Sequence, residues 1–318
     1  MPPRQNLLIP IGAGAISALA YLVAAHGVGF GVLTGYFGTL PLFIAGLALG
    51  VPAAAIATAS SLVLAALGAS IAVAAVFAAA YLLPPLLLVR QALLGRPDST
   101  GGVEWYPPGM LLAWTAAIGS VLFVAAALLL SVQADGLIGT IETYVGMVWD
   151  TIVQGEAEER RSGFIQAVVP LLPGAIVASW IAMMVVNGCL AQSLLVRMGR
   201  NLRPTPAYSA LELPAWLLPT LTIAAAAGLL LPGAAGYVGQ NLAVILVAPF
   251  CFLGLAVVHV LCRRVGSGRL LLGMFYTMLV LLTWPVILLA GLGLMEPWLK
   301  LRKQEAGKSG PPATGVND

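Results

Sequence analysis

Charge is what this 318-residue chain has least of: Asp, Glu, Lys and Arg make up 8% of it, against 60% hydrophobic residues. A soluble domain carries about 25% charge, so an ordinary water-facing surface is excluded. Histidine is almost missing, with only His26 and His259. The three cysteines, Cys189, Cys251 and Cys262, are an odd count within apolar stretches and give no secreted disulfide framework. Catalysis needs clustered titratable groups, and their scarcity leads to the expectation that the chain is not an enzyme. No apolar run carries a lysine, an arginine or a central carboxylate, which argues against a proton pump with a buried relay. A P-loop is also missing, and Gly12-Ala13-Gly14 lacks both the third glycine and the preceding strand of a dinucleotide fingerprint. The formal net charge of +3 is confined to short blocks between apolar runs, which leaves no nucleic-acid surface.

What is present is membrane-compatible sequence, with a mean hydropathy of +0.99. The composition predicts an all-α integral membrane protein, a bundle of about eight or nine transmembrane helices. Spans are expected at residues 7–25, 31–50, 52–67, 71–89, 110–131, 173–195, 213–232, 239–262 and 270–298. The first resembles a secretory signal with Arg4 ahead of its apolar stretch, yet its length suits a retained span. The second and third are interrupted by Gly35, Gly38, Pro41, Gly46, Gly50 and Pro52, a pattern equally compatible with a broken or re-entrant element. Residues 1–298 form a single polytopic domain in this reading, and residues 299–318 a basic, disordered tail.

Arginine placement sets the orientation. Arg90 and Arg96, then Arg197, Arg200 and Arg203, then Arg263, Arg264 and Arg269 follow three of these spans, and their loops are expected in the cytoplasm. Residues 134–163, rich in Asp and Glu, are expected outside. Within them Leu137, Ile138, Ile141, Tyr144, Val145, Val148, Trp149 and Ile152 recur at helical spacing, which predicts an interfacial amphipathic helix. Lys300, Arg302, Lys303 and Lys308 conflict with a single crossing from Leu270, because that crossing would place them outside. Pro285, Gly291 and Gly293 offer a way out, by breaking the last segment into a helix and a returning stretch.

Small residues four apart, such as Ala13 and Ser17, Ala20 and Ala24, Gly46 and Gly50, or Ala53 and Ala57, predict close helix contact, chiefly within the chain itself. Uncharged polar residues inside spans must find partners away from water. Asn187, Gln192, Gln240, Asn241 and Tyr276 are therefore either interhelical hydrogen-bonding groups or candidate lining groups of a solute cavity. His259, Cys251 and Cys262 share helical spacing but lack a fourth ligand, so neither a metal nor another cofactor is expected.

The later spans resemble the YybS-like family of predicted bacterial membrane proteins. The likeness rests on Leu172-Pro173-Gly174, Asn187, Arg197-Met198-Gly199, Leu213-Pro214-Ala215-Trp216, Asn241, Leu253-Gly254-Leu255-Ala256-Val257 and Gly291-Leu292-Gly293-Leu294-Met295-Glu296-Pro297-Trp298 with Leu301-Arg302-Lys303. Leu40-Pro41-Leu42 ahead of Gly46 and Gly50 resembles the family's early segment. That family is similar to substrate-capture subunits of energy-coupling-factor transporters. The resemblance implies a multi-pass protein of the bacterial inner membrane that binds a small solute and joins a transmembrane scaffold with ATPase subunits, Ala20 and Ala24 serving as a docking face. The alternative is a non-transporting scaffold or assembly factor that recruits proteins through Arg197, Arg200 and Arg203.

Overall fold

The computed structural model describes residues 7–26, 30–99, 101–153, 158–207, 211–263, 266–282 and 284–302. Its helices are α1 (Leu8–His26), α2 (Phe30–Tyr36), α3 (Leu40–Leu49), α4 (Val51–Gly68), α5 (Ile71–Phe77), α6 (Leu83–Ala92), α7 (Pro108–Ser131), α8 (Gly136–Ile152), α9 (Glu158–Val168), α10 (Leu172–Arg197), α11 (Leu217–Leu230), α12 (Gly233–Cys262), α13 (Gly268–Leu281) and α14 (Pro285–Leu299). A π-helical turn, Ala78–Leu82, joins α5 to α6, and two short strands, β1 (Gly95–Pro97) and β2 (Val103–Trp105), precede α7. The protein is an all-α membrane protein.

Six continuous helical stretches among the described residues are long and apolar enough to cross a bilayer: Leu8–Ala25, Val51–Gly68, Ile71–Ala92, Pro108–Ser131, Leu172–Arg197 and Gly233–Cys262. The remaining three expected spans take other forms. Residues 31–50 divide into α2 and α3, of 7 and 10 residues. The span expected at 213–232 narrows to α11, whose 14 residues extend about 21 Å, short of a hydrocarbon core of about 30 Å. The last segment is two helices, α13 and α14, bent by 118°. Among the described residues six continuous stretches and one bent pair thus qualify by length and composition, and the expected count of eight or nine crossings is not confirmed. Interruption, rather than hydropathy, makes the difference.

Contacts divide the chain into two compact units, residues 1–205 with 214–246, and residues 206–213 with 247–318. In the first unit α1 lies against α4, because Gly14 brings it onto Ala57, Ser60 and Ser61 with no room for a side chain. Phe43, Leu47, Ala54, Val89, Met183, Met184 and Leu195 form one buried cluster, and Leu42, Ala45, Ala57, Phe77 and Leu82 a second. Gly50 joins α3 to α4 at φ +92°, a left-handed conformation suited to a residue without Cβ. The amphipathic helix is present as α8, but its apolar side chains divide between two surroundings. Leu137 and Val145 are buried with Ala127, Val169 and Tyr237, whereas Tyr144, Val148 and Ile152 are exposed. Arg161 of α9 ties α8 down, its Nε donating to Asp150 at 3.0 Å. That hydrogen bond holds the guanidinium above its ordinary pKa range.

In the second unit α12 and α14 meet through glycines. A side chain on Gly254 would strike the backbone of Leu289, and one on Gly293 the backbone of Phe250. Beyond α14, the buried Glu296 carboxylate accepts from the backbone N–H groups of Leu301 and Arg302 at 3.1 and 3.2 Å, and from Arg302 Nε at 2.9 Å. Lys300, at φ 48°, makes the turn that brings them there. Of the expected basic tail, residues 303–318 lie outside the described residues.

Candidate functional site

Several polar side chains inside the helices answer a question posed by the backbone: which carbonyl or N–H has lost its helical partner. Between α2 and α3 the ladder is interrupted, and two carbonyls there receive donors from other helices. Asn187 Nδ2 of α10 donates to Tyr36 O at 2.8 Å, and Ser17 Oγ of α1 to Gly38 O at 2.6 Å. Pro84 has no N–H to offer the carbonyl four residues earlier, Ala80 O, and the Trp180 indole supplies that hydrogen bond at 2.8 Å. At the start of α10, Asn241 Oδ1 accepts from Gly174 N at 2.7 Å, while its Nδ2 donates to Pro170 O and Tyr237 O, both at 2.9 Å. Tyr237 adds a bond from its hydroxyl to Val169 O at 2.8 Å.

The four candidate cavity residues of the first unit each bond to a different stretch of backbone. Asn187 and Asn241 are fully buried and bonded to separate backbone segments. Gln192 donates to Arg203 O at 2.8 Å, and Gln240 to Gly228 O of α11 at 3.1 Å. Tyr276 belongs to the second unit, where its hydroxyl lies 3.3 Å from His259 Nε2. Among the described residues no three His, Cys, Asp or Glu side chains gather as metal ligands. Ala20 and Ala24, the expected docking pair, are half-buried and approached by the α2–α3 joint and by α2. A Cβ on Gly38 would lie 3.6 Å from the Ala20 methyl, and one on Gly35 2.9 Å from that of Ala24.

One feature gathers several chain segments, and Arg203 is its centre. Its guanidinium, 6% exposed, donates to Ala92 O at the end of α6 at 2.7 Å and to Tyr106 O beyond β2 at 3.3 Å. It lies 5.8 Å from the centroid of the Trp105 ring. The positive charge thus meets the negative end of a helix dipole and an aromatic face rather than an acid. Burial pulls its pKa below the ordinary arginine range. Gln192 and Asn201 both donate to Arg203 O, each at 2.8 Å, and Leu202 N reaches Leu47 O of α3 at 3.3 Å. The α10–α11 loop, the β1–β2 hairpin and the α3–α4 joint are in this way tied together. Of the three arginines expected to recruit partners, Arg203 is buried in this junction, whereas Arg197 and Arg200 are exposed.

Sequence reasoning missed the hairpin. Its signal was legible: Asp98, Gly101 and Gly102 as turn residues between Arg96 and Glu104, which pair across the strands with Nε 2.7 Å from Oε2. The Glu296 fold-back was missed because a single carboxylate near a helix end carries no recognisable pattern.

A family described as predicted membrane protein, DUF2232, matches residues 15–296. The chain belongs to the DUF2232 family. The matched stretch of this DUF2232 chain runs from within α1 to Glu296 near the end of α14, and so contains the α2–α3 interruption and the whole Arg203 junction. No curated protein and no solved structure matches the chain.

Proposed function

We propose that this DUF2232 protein is a membrane-embedded docking subunit whose arginine-rich face receives an acidic surface of a partner protein. The observation that carries the reading is the Arg203 junction. It holds the segments bearing the exposed Arg90, Arg197 and Arg200 to one another, so the charges are offered from a fixed base. Preorganised groups lose less conformational freedom on association than groups on independent loops. The positive-inside rule assigns this face to the cytoplasm, and a bacterial inner membrane suits the resemblance to YybS-like proteins. The reading involves no catalysis by this chain. It is tested by capture of the full-length protein from detergent-solubilised membranes, wild type beside Arg197→Glu with Arg200→Glu. A stoichiometric partner recovered with the wild type and lost with the double variant is expected, and equal recovery removes the proposal.

A second reading, a transport-associated subunit that captures a small solute and joins a transmembrane scaffold with ATPase subunits, is favoured by the interrupted helices. The α2–α3 joint and the bent α13–α14 pair are the kind of broken element that transporters place around ligands. The likeness to YybS-like proteins, and through them to substrate-capture subunits, supports the same reading. A thermal-shift screen against vitamins, nucleobases and lipid precursors decides it. A ligand at 100 times its dissociation constant adds about 2.7 kcal/mol, so a silent screen at saturating concentrations removes this reading.

A further inference from the structure

Five side-chain oxygens in the first unit are buried with no hydrogen-bond partner among the described residues: Thr39 Oγ1, Thr58 Oγ1, Ser61 Oγ, Ser120 Oγ and Asn187 Oδ1. Thr39, Ser61 and Asn187 are 0% exposed and Thr58 8%. A threonine or serine inside a helix ordinarily gives its hydroxyl hydrogen to the carbonyl four residues earlier. Thr115, Thr140, Thr151, Thr220, Thr222 and Thr277 of this chain all do so. Thr58 and Ser61 in the middle of α4 do not. Asn187 cannot be relieved by turning its amide over, because Nδ2 already donates to Tyr36 O and Met183 O, both at 2.8 Å. Its oxygen is fixed as an acceptor without a donor.

Register and helix contacts place the residues bearing three of these oxygens at corresponding heights on neighbouring helices. α3 and α4 run antiparallel from Gly50, and Gly46 faces Ala54, an ideal Cβ on the glycine lying 3.0 Å from the alanine methyl. Those two residues are equidistant from Gly50, and so, further along the pair, are Thr39 and Ser61. α1 crosses the same level. Its Gly14 lies against Ser61, and its Ser17, one turn later, reaches Gly38 O beside Thr39. Asn187 meets the same joint from α10, through Tyr36 O. The site thus lies where the backbone between α2 and α3 leaves the helical path.

We infer that this level holds a small monovalent cation, coordinated by Thr39 Oγ1, Ser61 Oγ and Asn187 Oδ1, with backbone oxygen of the α2–α3 joint. The donor set is neutral oxygen only, which suits a hard alkali ion and lacks the nitrogen and sulfur ligands of a transition metal. α3 and α4 carry no charged residue to balance an ion, and the cost of burying charge rises steeply with its size, which favours a monovalent ion over magnesium or calcium. Side-chain and backbone oxygens at a broken helix are a setting in which protein oxygens replace the hydration shell of such ions.

The test uses full-length protein in detergent, exchanged into sodium, potassium, lithium or choline chloride at one ionic strength. A saturable rise in melting temperature of several degrees with sodium or potassium over choline is expected. Thr39→Val and Ser61→Ala remove one coordinating oxygen each while nearly keeping side-chain volume. Both are expected to fold, to melt within a few degrees of wild type in choline, and to lose at least tenfold in apparent cation affinity. Equal melting of the wild type in all four salts overturns the proposal and leaves a water as the occupant. A cation shift that persists unchanged in both variants overturns the assignment to this level.

Discussion

The Arg203 guanidinium donates a 2.7 Å hydrogen bond to the carbonyl of Ala92, 111 residues earlier in the chain. Replacing it by alanine leaves the Ala92 and Tyr106 carbonyls unmet and removes a side chain from beside Trp105. Hydrogen bonds to a charged donor are worth about 1.5–3 kcal/mol, and a loss of about 2 kcal/mol of stability is expected. Arg203→Lys cannot reproduce the planar fork and is expected to fall between alanine and wild type. Thermal unfolding measures the loss. Limited proteolysis with a glutamate-specific protease at the exposed Glu104 in the hairpin tests whether that segment has come loose, and unchanged cleavage would show that Arg203 does not hold it.

Asn241→Ala is expected to destabilise the protein by about 2–3 kcal/mol with no solute present, because the Gly174 N–H and the Pro170 carbonyl lose their partner. Asn241→Asp keeps the acceptor for Gly174 but sets a buried carboxylate oxygen against the Pro170 and Tyr237 carbonyls, so a loss at least as large is expected. If Asn241→Ala melts like the wild type and differs only in the response to a bound solute, the helix-start role fails.

Gly254→Val and Gly293→Ala are each expected to cost about 3 kcal/mol, since the added carbon meets backbone atoms that cannot turn aside. Gly291→Ala, two residues away on the same helix, meets nothing within 4 Å and is expected to be neutral or slightly stabilising. The contrast between Gly291 and Gly293 in a melting series separates close helix approach from helix propensity, which predicts the same outcome at both positions.

The bent α13–α14 pair makes a topological prediction. Each helix, of 14 and 15 residues, extends about 21–23 Å, and the 118° bend turns the second back toward the origin of the first. Arg269→Cys and Lys300→Cys, introduced singly after Cys189, Cys251 and Cys262 are replaced by alanine, are expected to react with an impermeant maleimide from the same side of sealed vesicles. Labelling from opposite sides would mean that the segment crosses, and would restore the conflict between the basic tail and the positive-inside rule.

The sequence was a good guide where one local property decides the outcome. Hydropathy located α1, α4, α7, α10 and α12 within a few residues, and the helical spacing of Leu137, Ile141 and Val145 located α8. Hydropathy did not reveal the form taken at residues 31–50, 213–232 and 270–298 because apolar residues are equally at home in a continuous helix, a shortened one and a bent pair. The glycines and prolines there marked interruptions without saying which form they take. The candidate site was legible only as a set of polar residue types. Asn187 and Asn241 were singled out correctly as groups needing partners, but their partners lie 151 and 67 residues away and are backbone atoms.

What the sequence determined by itself is the solvent: so few charges, placed in short blocks between long apolar runs, are compatible with a bilayer and with little else. It also determined which polar groups would need partners, because an unpaired amide in hydrocarbon is costly wherever it lies. Tertiary structure alone decided which backbone atoms those amides would meet. It decided too that Arg203 would be buried while Arg197 and Arg200 stayed exposed. The physical reason is that burial and hydrogen-bond geometry depend on atoms brought together from distant positions in the chain, whereas hydropathy is fixed residue by residue. A carbonyl freed by a break or a proline is satisfied only by whichever side chain the packing brings within 3 Å or so.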